Sequence, residues 1–491
     1  MWWSVISASA SRGRCRRHPE PGREALGSPA RLWQTRQVRW TATDVAAATG
    51  GELRSGDAGT ALEGLGTDSR RLVAGSWWVA VRAARDGHDF VADALRAGAG
   101  GLVLEAGHPA TEALAGDPAP PAAVVAVADT SRALLDLGRA ARARLVGPVV
   151  GITGSVGKTS TKDMLAAALA GRWRTAASEQ SYNNELGVPL TLGNAPGDTE
   201  VAVVEMGTRG FGHISLLCDL ARPTIGVVTA VAAVHTELLG SLDGVFRAKC
   251  ELPEALPPEG VAVLNADDQR VAAMAPRTRA SVLRYSASGS ADADVVASAV
   301  ALGEDLRPRF VLRSPWGGAQ VRLGARGAHQ VGNALAAAAA ALCCDTPLEV
   351  VVAGLESART SRWRMELARS RSGATIVNDA YNSNPASLVA ALRALASMPA
   401  RRRVAVLGAM AELGPEGPHE HLAAAQVATE LGIELLAVGT TAYGVDPVAG
   451  GSVDPGRVVE AIGAFSEGDA VLVKGSRVVG LERVAAALVD T

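Results

Sequence analysis

The chain has 491 residues, which suggests about three domains at the usual ~150 residues each. Its hydrophobic share of 48% and charged share of 20% are ordinary for a large folded protein with a sizeable core. The net charge of −2 argues against broad nucleic-acid binding, and no run reaches the roughly 18 apolar residues that membrane insertion needs. We therefore expect neither nucleic acid nor a membrane among its partners.

The cysteines indicate the redox compartment. They form neither a disulfide framework nor a paired CxxC zinc pattern, so a reducing cytoplasm is the expected location. The five are Cys15, Cys218, Cys250, Cys343 and Cys344.

Residues 1–38 differ from the rest of the chain. They are rich in arginine, poor in acidic residues and without periodicity. A secretory signal places its apolar core after its charges, whereas here the short apolar stretch Met1–Ile6 comes first. A transit peptide is an alternative, because the segment is rich in arginine and poor in acidic residues. We expect disorder, or translation from an upstream start, with the folded chain beginning between Val38 and Thr41.

Residues 39–146 predict a small α/β domain. Apolar runs and turn residues alternate along this stretch, and Gly147-Pro148 is a natural boundary. The predicted elements are a helix over Thr43–Ala48, a strand over Ser76–Arg82, a strand over Gly101–Ala106 and a helix over Ser131–Leu145.

Residues 147–358 alternate apolar strands with helices, which implies a mainly parallel sheet covered on both faces. The alanine-rich run Val331–Cys344 is best explained as a buried helix. The predicted strands are PVVGITG, Val201–Gly207, Thr224–Val231 and Gly260–Asp268.

Residues 359–491 repeat the alternation in a second doubly wound pattern, Rossmann-like in outline. Helices are expected from Ser387 and over His421–Leu431. The predicted fold class is α/β with three domains: a small α/β N-terminal domain, a central P-loop domain with a mainly parallel sheet, and a C-terminal Rossmann-like domain.

Lysine is rare in this chain, with only four among 48 basic residues: Lys158, Lys162, Lys249 and Lys474. Arginine cannot replace a P-loop lysine, whose compact ammonium sits on the β- and γ-phosphates. Nor can arginine form the carbamate that a lysine amine makes with carbon dioxide. Codon bias is the alternative, and it accounts for Lys162 equally well. The other contexts indicate a phosphate-handling enzyme.

The segment GITGSVGKTSTK (151–162) follows a β-branched strand and opens a helix, as a phosphate loop does. Backbone N–H groups at the helix N-terminus hold anionic oxygens, Lys158 neutralises them and the Thr159 hydroxyl binds Mg²⁺. The match is to GxxGKT, and a glycine turn with a chance lysine is the alternative. ATP is expected over GTP because nothing resembles the NKxD set. The expected nucleotide cradle comprises Gly154, Ser155, Gly157, Lys158, Thr159 and Ser160.

Three further residues stand where a metal next to phosphates would need ligands. Glu205 ends a strand, at the edge where open α/β sheets bind ligands, and a carboxylate there suits Mg²⁺. His235 lies just past another strand, and Lys249 follows on a predicted helix. The alternatives are a solvated glutamate, a structural histidine and a solvated surface lysine.

These segments, taken together and in order, resemble the Mur ligase family, cytoplasmic ATP-dependent ligases that build the peptide stem of bacterial peptidoglycan. The third domain resembles the MurF type, through NDAYNSNPAS (378–387), VAVLGAMAELG (404–414) with His421, and VLVKGSR (471–477). Relatives that add single amino acids usually carry a D-Y-A-H-x-P-like segment instead. The other motifs are SYNNELGVPLTL (181–192), VVEMGTRGFGHI (203–214), LNADD (264–268), GAHQVGN (327–333), TDSRR (67–71) and DGHDF (86–90).

The resemblance implies roles for individual residues. Lys158, Glu205, His235 and Lys249 would be catalytic, and two Mg²⁺ ions would be held by Thr159, Glu205, His235 and a Lys249 that many members carbamylate. Asn333, Arg364 and Asp379 would close on the ATP. Asp68, Ser69 and Arg70 would sit at the uridine end of the other substrate. The remaining substrate-binding residues would be Asn183, Asn184, Asn382, Asn384, Lys474, Ser476 and Arg477.

The chain departs from the family pattern at four places. Val156 stands where many members have asparagine, and Ala409 where the third-domain motif usually has aspartate. AARDGHDF lacks the usual glycine and spacing, so the loop at the uridine end is expected to be rearranged. Trp363 replaces a common glycine before Arg364.

The implied reaction joins UDP-MurNAc-tripeptide to D-alanyl-D-alanine through an acyl phosphate, giving UDP-MurNAc-pentapeptide, ADP and phosphate. We expect a monomer whose third domain closes to exclude water. The alternatives are another Mur-family ligase that adds a single amino acid, and a catalytically silent nucleotide-binding scaffold.

Overall fold

The computed structural model describes residues 39–117, 120–179, 181–232, 236–448 and 453–491. The predictions made for residues 1–38 and for His235 lie outside these described residues. No helix in the described ranges combines the length and the apolar character that crossing a membrane requires. Three large sheets each lie within one predicted domain range, and the α/β fold class with mainly parallel sheets is confirmed. The domain boundaries stay predictions.

The N-terminal sheet has the order β2-β7-β6-β5-β4, parallel except for β2, and β1 pairs with β3 beside it. The predicted strand Ser76–Arg82 is shorter than expected, because only its centre pairs. The elements are β1 (Arg39–Thr41), α1 (Ala42–Thr49), β2 (Glu52–Ser55), β3 (Ala61–Glu63), β4 (Leu65–Gly66), β5 (Trp77–Val79), α2 (Val91–Arg96), β6 (Gly101–Glu105), α3 (Pro109–Ala115), β7 (Ala123–Val127) and α4 (Thr130–Arg144).

Trp40, on β1, packs the N-terminal domain against the central domain. Thr41 and Asp44 form a capping box that starts α1, which fixes the chain direction at Trp40. The Trp40 ring is fully buried, and its Nε1 donates to the Gly193 carbonyl at 3.3 Å. The Arg144 guanidinium lies over the same ring at 4.1 Å. The N-terminal domain therefore shares a hydrophobic core with the central one.

The central sheet runs β16-β15-β14-β13-β12-β11-β8-β10-β9. The strands from β9 to β14 are parallel, as the apolar alternation predicted. The elements are β8 (Val149–Thr153), α5 (Lys158–Ala170), β9 (Thr175–Ala177), α6 (Gly187–Gly193), β10 (Val201–Glu205), α7 (His213–Ala221), β11 (Ile225–Val228), α8 (Thr236–Leu239), α9 (Leu242–Ala255), β12 (Val261–Asn265), α10 (Gln269–Ala272), β13 (Ser281–Ser286), β14 (Val295–Leu302), β15 (Pro308–Ser314), β16 (Gly317–Arg322), α11 (Gln330–Cys343) and α12 (Leu348–Ser357).

The antiparallel extension β14-β15-β16 was not predicted. These strands alternate buried and exposed residues and carry glycine and arginine at the outer edge, so they lack the continuous apolar runs of the parallel strands. The alanine-rich helix was predicted, and α11 buries nearly every residue against the face of the sheet that also holds α5.

The C-terminal sheet has the order β17-β18-β21-β19-β20, parallel except for the edge strand β17. Separate apolar cores cover its two faces, as a doubly wound fold requires. The elements are β17 (Glu366–Arg369), β18 (Thr375–Asn378), α13 (Pro385–Ser397), β19 (Arg402–Gly408), α14 (Gly417–Glu430), β20 (Glu434–Val438), α15 (Pro455–Ile462), β21 (Asp469–Lys474) and α16 (Glu482–Val489).

Candidate active site

The predicted phosphate loop joins β8 to α5. Gly154 has φ 145° and Gly157 has φ 86°, conformations that favour glycine. A Cβ on Gly154 would lie 1.9 Å from the Thr229 hydroxyl oxygen. That hydroxyl donates to the Val156 carbonyl at 2.5 Å, so the residue that departs from the family pattern contributes through its backbone. The loop is therefore shaped by its glycines and supported from the end of β11.

Lys158 starts α5 and reaches back across the loop. Its Nζ donates to the Gly154 carbonyl at 2.6 Å. Desolvation lowers the pKa of Lys158, the nearby Glu205 carboxylate opposes that shift, and the Arg364 guanidinium adds to it. Bound phosphate would add negative charge beside this ammonium.

Glu205 ends β10 with its side chain 1% exposed, so the interpretation as a solvated glutamate is wrong. Its Oε1 accepts a hydrogen bond from Asn183 Nδ2 at 2.8 Å. Its Oε2 is buried and has no hydrogen-bond partner among the described residues. Such an orphaned oxygen costs roughly 1–3 kcal/mol, so its position fits a bound cation.

Lys249 lies on α9, as predicted, but it is 2% exposed, and the interpretation as a solvated surface lysine is wrong. Among the described residues its Nζ has no hydrogen-bond or ion-pair partner, and the charge that acts on it is that of Lys158. Desolvation holds the pKa of Lys249 well below its usual value, and the positive charge of Lys158 lowers it further. A lowered pKa increases the uncharged fraction of the amine, and the uncharged amine is the form that reacts with carbon dioxide.

Asp379 and Lys474 form a buried pair in the C-terminal domain. Lys474 Nζ donates to Asp379 Oδ2 at 2.6 Å and to the Asn382 carbonyl at 2.9 Å. Asp379 Oδ1 accepts from the Met365 N–H at 3.1 Å. Both carboxylate oxygens of Asp379 therefore hold neighbouring segments in place while the residue faces the cleft.

Arg364 and Asn333 approach the phosphate loop from two sides. The Arg364 guanidinium lies 4.3 Å from the centre of the Tyr381 ring, and its buried Nε has no hydrogen-bond partner in the described residues. Asn333 lies on α11, where a Cβ added to Gly157 would come within 2.3 Å of its Oδ1. Both line the cavity beside the phosphate loop.

The segments 382–384 and 474–477 are bound to each other. Ser476 Oγ donates to the Ser383 carbonyl at 3.3 Å and accepts from the Ala411 N–H at 2.8 Å. Asn384 caps α13 by accepting from the Ser387 N–H at 2.9 Å. Ser476 and Asn384 therefore both stabilise these segments and line the cleft.

Arg477 packs on Trp363, the tryptophan that replaces the glycine common in the family. Its guanidinium lies 4.4 Å from the centre of the Trp363 ring. Trp363 has φ 60°, a left-handed conformation that accounts for the glycine common at this position in the family. Stacking on Arg477 helps to offset the strain of a bulky residue there.

One cavity of about 900 Å³ brings the predicted residues of the central and C-terminal domains together. Its size is at the upper end of the range for small-molecule sites. The predicted residues that line it are Ser155, Gly157, Lys158, Thr159, Ser160, Asn183, Asn184, Glu205, Lys249, Asn333, Arg364, Asp379, Asn382, Asn384, Lys474, Ser476 and Arg477. Gly154 shapes the loop beneath it, and His235 lies outside the described residues.

A second cavity, of about 330 Å³, lies between the N-terminal and central domains. Asp68 lines this cavity, whereas Ser69 and Arg70 do not. The Arg70 guanidinium forms an ion pair with Asp68 and points outward, with 79% of the Arg70 side chain exposed. Arg71 lines the cavity instead and donates to the Tyr182 hydroxyl at 2.6 Å. Sequence reasoning missed Arg71, since a 3₁₀ turn over Ser69–Arg71 decides which arginine faces inward.

The rearranged loop expected at the uridine end has a structural role. His88 is buried, and its Nδ1 lies 2.7 Å from Asp86 Oδ1. Its Nε2 accepts from the Glu105 N–H at 2.9 Å. Neither residue lines the two cavities. His421 is similar, because its Nε2 accepts from the Met410 N–H at 2.9 Å and so positions the 409–412 loop.

Sequence reasoning also missed Ser181, Tyr381 and Glu412, which line the larger cavity. Tyr381 and Ser181 lie inside motifs that were noted, yet the contact between them spans 200 residues and leaves no local signal. Glu412 has φ 65°, and its charge acts on Lys158 from across the cleft.

Two family models match this chain. The Mur ligase middle domain matches residues 152–341, and the Mur ligase, glutamate ligase domain matches residues 363–477.

Curated relatives match along most of the chain. The UDP-N-acetylmuramoyl-tripeptide–D-alanyl-D-alanine ligase of Mycobacterium bovis is 40% identical over 467 residues, which cover 86% of this chain and 91% of the relative. The Escherichia coli ligase of the same name is 33% identical over 450 residues, covering 89% and 96%.

Solved structures agree in fold. MurF from Acinetobacter baumannii superposes with a TM-score of 0.80 at 29% identity, covering 92% of this chain and 99% of that one. MurF from Thermotoga maritima in complex with ADP gives a TM-score of 0.74 at 25% identity, covering 87% and 96%. Family models, relatives and structures agree with the resemblance read from the motifs, and the chain belongs to the Mur ligase family, in its MurF branch.

Proposed function

We propose that this protein is an ATP-dependent ligase that joins the carboxylate of UDP-MurNAc-tripeptide to the amine of D-alanyl-D-alanine. One observation carries the proposal: a single cavity is lined by the phosphate loop and by the C-terminal segments 379–384 and 474–477. A nucleotide and the two groups to be joined can meet where these surfaces face each other. The names of the relatives support this choice of substrates.

The chemistry needs activation, because a carboxylate resists attack by an amine. Transfer of the γ-phosphoryl group of ATP to the tripeptide carboxylate gives an acyl phosphate and ADP. The uncharged amine of the dipeptide then attacks the acyl carbon, and the tetrahedral intermediate collapses to the amide as phosphate leaves. Lys158 binds the phosphoryl oxygens and offsets the charge that develops during transfer.

Thr159 and Glu205 fit Mg²⁺, because their donors are hard oxygens and the buried Oε2 of Glu205 has no hydrogen-bond partner among the described residues. Thr159, Glu205, His235 and Lys249 would hold two ions, His235 being assigned from the resemblance alone. Bound Mg²⁺ supplies charge neutralisation on the phosphates.

Carbamylation of Lys249 belongs to this proposal. The carbamate would replace an amine in a buried, positively charged site with an anionic oxygen donor. The lowered pKa of Lys249 and its lack of a protein partner among the described residues both favour that reaction.

The uridine end of the substrate is proposed to lie in the smaller cavity. Asp68 and Arg71 line it from the N-terminal domain, and Tyr182 and Glu179 from the central domain. The Arg71 guanidinium lies 3.7 Å from Glu179, so a bound pyrophosphate would compete for an arginine that is already positioned. We propose Arg71, in place of Arg70, as the basic residue of this subsite.

The setting of the reaction follows from its substrates. ATP and a nucleotide-linked peptide are cytoplasmic metabolites, and we propose that the protein works there as a monomer. Closure of the C-terminal domain over the cavity would exclude water that otherwise hydrolyses the acyl phosphate.

The test is phosphate release from ATP and UDP-MurNAc-tripeptide, with and without D-alanyl-D-alanine, for the wild type and for Lys158→Ala. The tripeptide should be supplied with diaminopimelate and with lysine at its third position in turn. We expect release that depends on the dipeptide, yields pentapeptide by mass and disappears in Lys158→Ala, with unchanged melting temperature as the folding control.

Other outcomes would overturn the proposal. Release that responds to single amino acids in place of the dipeptide would indicate another Mur-family ligase. No release under any condition, with intact nucleotide binding, would indicate a catalytically silent scaffold.

A further inference from the structure

A chain of hydroxyl groups links the C-terminal domain to the phosphate loop. Tyr381 Oη donates to Ser181 Oγ at 2.7 Å, and Ser181 Oγ lies 3.3 Å from Thr159 Oγ1. Tyr381 follows β18, Ser181 follows β9 and Thr159 lies in the first turn of α5. The contact therefore joins the C-terminal domain, which is expected to move, to Thr159, the residue that is expected to bind Mg²⁺.

Tyr381 is held firmly on the C-terminal side. Its N–H donates to the Trp363 carbonyl at 3.2 Å, and the Arg364 guanidinium covers its ring at 4.3 Å. The hydroxyl is thus aimed by contacts that depend on the placement of residues 363–364. A shift of that domain by the length of a hydrogen bond would break the contact with Ser181.

Ser181 can act as a double acceptor. A hydroxyl oxygen has two lone pairs, so it can accept from Tyr381 and from Thr159 at the same time. A threonine that binds a cation must offer a lone pair to the ion and point its proton elsewhere. Ser181 Oγ is the nearby acceptor for that proton, and Tyr381 holds it in place.

The same segment reaches a second proposed ligand. Asn183, two residues beyond Ser181, donates to Glu205 Oε1 at 2.8 Å, and its carbonyl accepts from the Gly207 N–H at 2.7 Å. Movement of residues 181–183 would therefore disturb both Thr159 and Glu205.

We propose that Ser181 and Tyr381 are positioning residues: with the C-terminal domain closed, Tyr381 fixes the Ser181 hydroxyl, which orients the Thr159 hydroxyl toward the cation. The inference rests on the proposed function in one respect, the assignment of Thr159 to the nucleotide–Mg²⁺ site. It makes Mg²⁺-dependent nucleotide binding, and not only turnover, sensitive to domain closure.

The experiment measures the Kd of ADP in excess Mg²⁺ and in EDTA, for the wild type, Tyr381→Phe, Ser181→Ala and the double variant. We expect each single variant to weaken Mg²⁺-dependent ADP binding by about 3- to 10-fold, the range for loss of one hydrogen bond. Binding in EDTA should stay unchanged. Because the two hydroxyls act in series, the double variant should be no weaker than the single ones.

Two further variants separate positioning from stability. Ser181→Thr keeps the hydroxyl and should restore most of the affinity that Ser181→Ala loses. Tyr443→Phe removes another tyrosine hydroxyl of the same domain, which donates to the Gly408 carbonyl at 2.9 Å, and should leave Mg²⁺-dependent affinity unchanged. Equal losses in Tyr443→Phe and Tyr381→Phe would overturn the inference.

Hydrogen exchange gives a second readout that does not depend on turnover. With ADP and Mg²⁺ bound, amides of residues 181–184 should exchange faster in Tyr381→Phe than in the wild type. If the wild type binds ADP and both single variants bind it with the same affinity, the inference is refuted and the ligase proposal stays intact. Failure of the wild type to bind nucleotide would refute both.

Discussion

Asp163 Oδ2 accepts two hydrogen bonds from Ser361, one from its N–H and one from its hydroxyl, each at 2.7 Å. Asp163 lies on α5, the helix that starts at the phosphate loop, and Ser361 lies in the linker before the C-terminal domain. Lys162 Nζ pairs with the other carboxylate oxygen at 2.6 Å. These hydrogen bonds therefore attach the linker to α5, the helix that follows the phosphate loop.

Replacing Asp163 with alanine should lower the free energy of unfolding by about 3 kcal/mol, because Lys162 is nearly buried and would lose its counter-ion. Urea denaturation measures the loss. The double variant Lys162→Met/Asp163→Ala should recover part of it, since no unpaired charge remains. A double variant less stable than Asp163→Ala would show that the Lys162 charge is not the cause.

The linker itself gives a further prediction for the same residue. Limited proteolysis within residues 358–364 should be faster in Asp163→Ala, because the linker loses both of its bonds to α5. Ser361→Ala, which retains the backbone bond, should fall between that variant and the wild type.

Lys249→Arg should lose ligase activity by more than the roughly 10- to 100-fold that loss of an outer-shell partner of a metal site costs, although it keeps the positive charge. The reason is that a guanidinium cannot form a carbamate. Lys249→Ala should be equally inactive and should regain part of its rate when formate or acetate is added, since either acid supplies the missing carboxylate. Steady-state phosphate release checks both variants.

The carbamate hypothesis has a clear counter-result. An arginine variant with near wild-type turnover would mean that Lys249 needs only its charge. In the wild type, removal of carbon dioxide and bicarbonate should lower activity, and their return should restore it.

Asp379→Ala should destabilise the protein by about 3–5 kcal/mol, because it strands the Lys474 ammonium, which is 2% exposed. Lys474→Met should cost less, because Asp379 keeps its bond from the Met365 N–H. A double-mutant cycle by urea denaturation gives the coupling between them. Additive losses would mean that the pair does not act as a unit.

Asp267 gives a prediction about pH. Its carboxylate accepts from the hydroxyls of Ser286 and Ser288, each at 2.5 Å, and from the Ala287 N–H at 2.6 Å. Burial alone would raise the pKa of Asp267, but these hydrogen bonds outweigh burial and lower it below its model-compound value of 3.8. The carboxylate therefore stabilises the fold above pH 3.8, and that contribution is lost as the pH falls through the lowered pKa.

Asp267→Asn should cost no more than about 1 kcal/mol near pH 7, because Asp267 is exposed and solvent weakens its interactions, and the difference from wild type should shrink below about pH 4. Urea denaturation across that range measures it. Asp292→Asn serves as the matched control, because Asp292 is an exposed aspartate in the loop between β13 and β14, and it should change little. A difference that grows on acidification would contradict the assignment.

Local sequence determined much of this protein. The β-branched run, the two glycines and the lysine of residues 151–158 specify strand, turn and helix through short-range geometry, and the apolar alternation specifies parallel sheets. Glu205 was placed correctly at a strand end for the same reason. The motifs, taken in order, also identified the family.

Only the tertiary structure decided which groups meet. Burial of Lys249, the orphaned oxygen of Glu205 and the choice of Arg71 over Arg70 depend on neighbours brought in by packing. The Tyr381–Ser181 contact joins residues 200 positions apart. Sequence periodicity reports the face on which a residue lies, whereas hydrogen bonds and desolvation depend on atoms within a few ångströms, which distant parts of the chain supply.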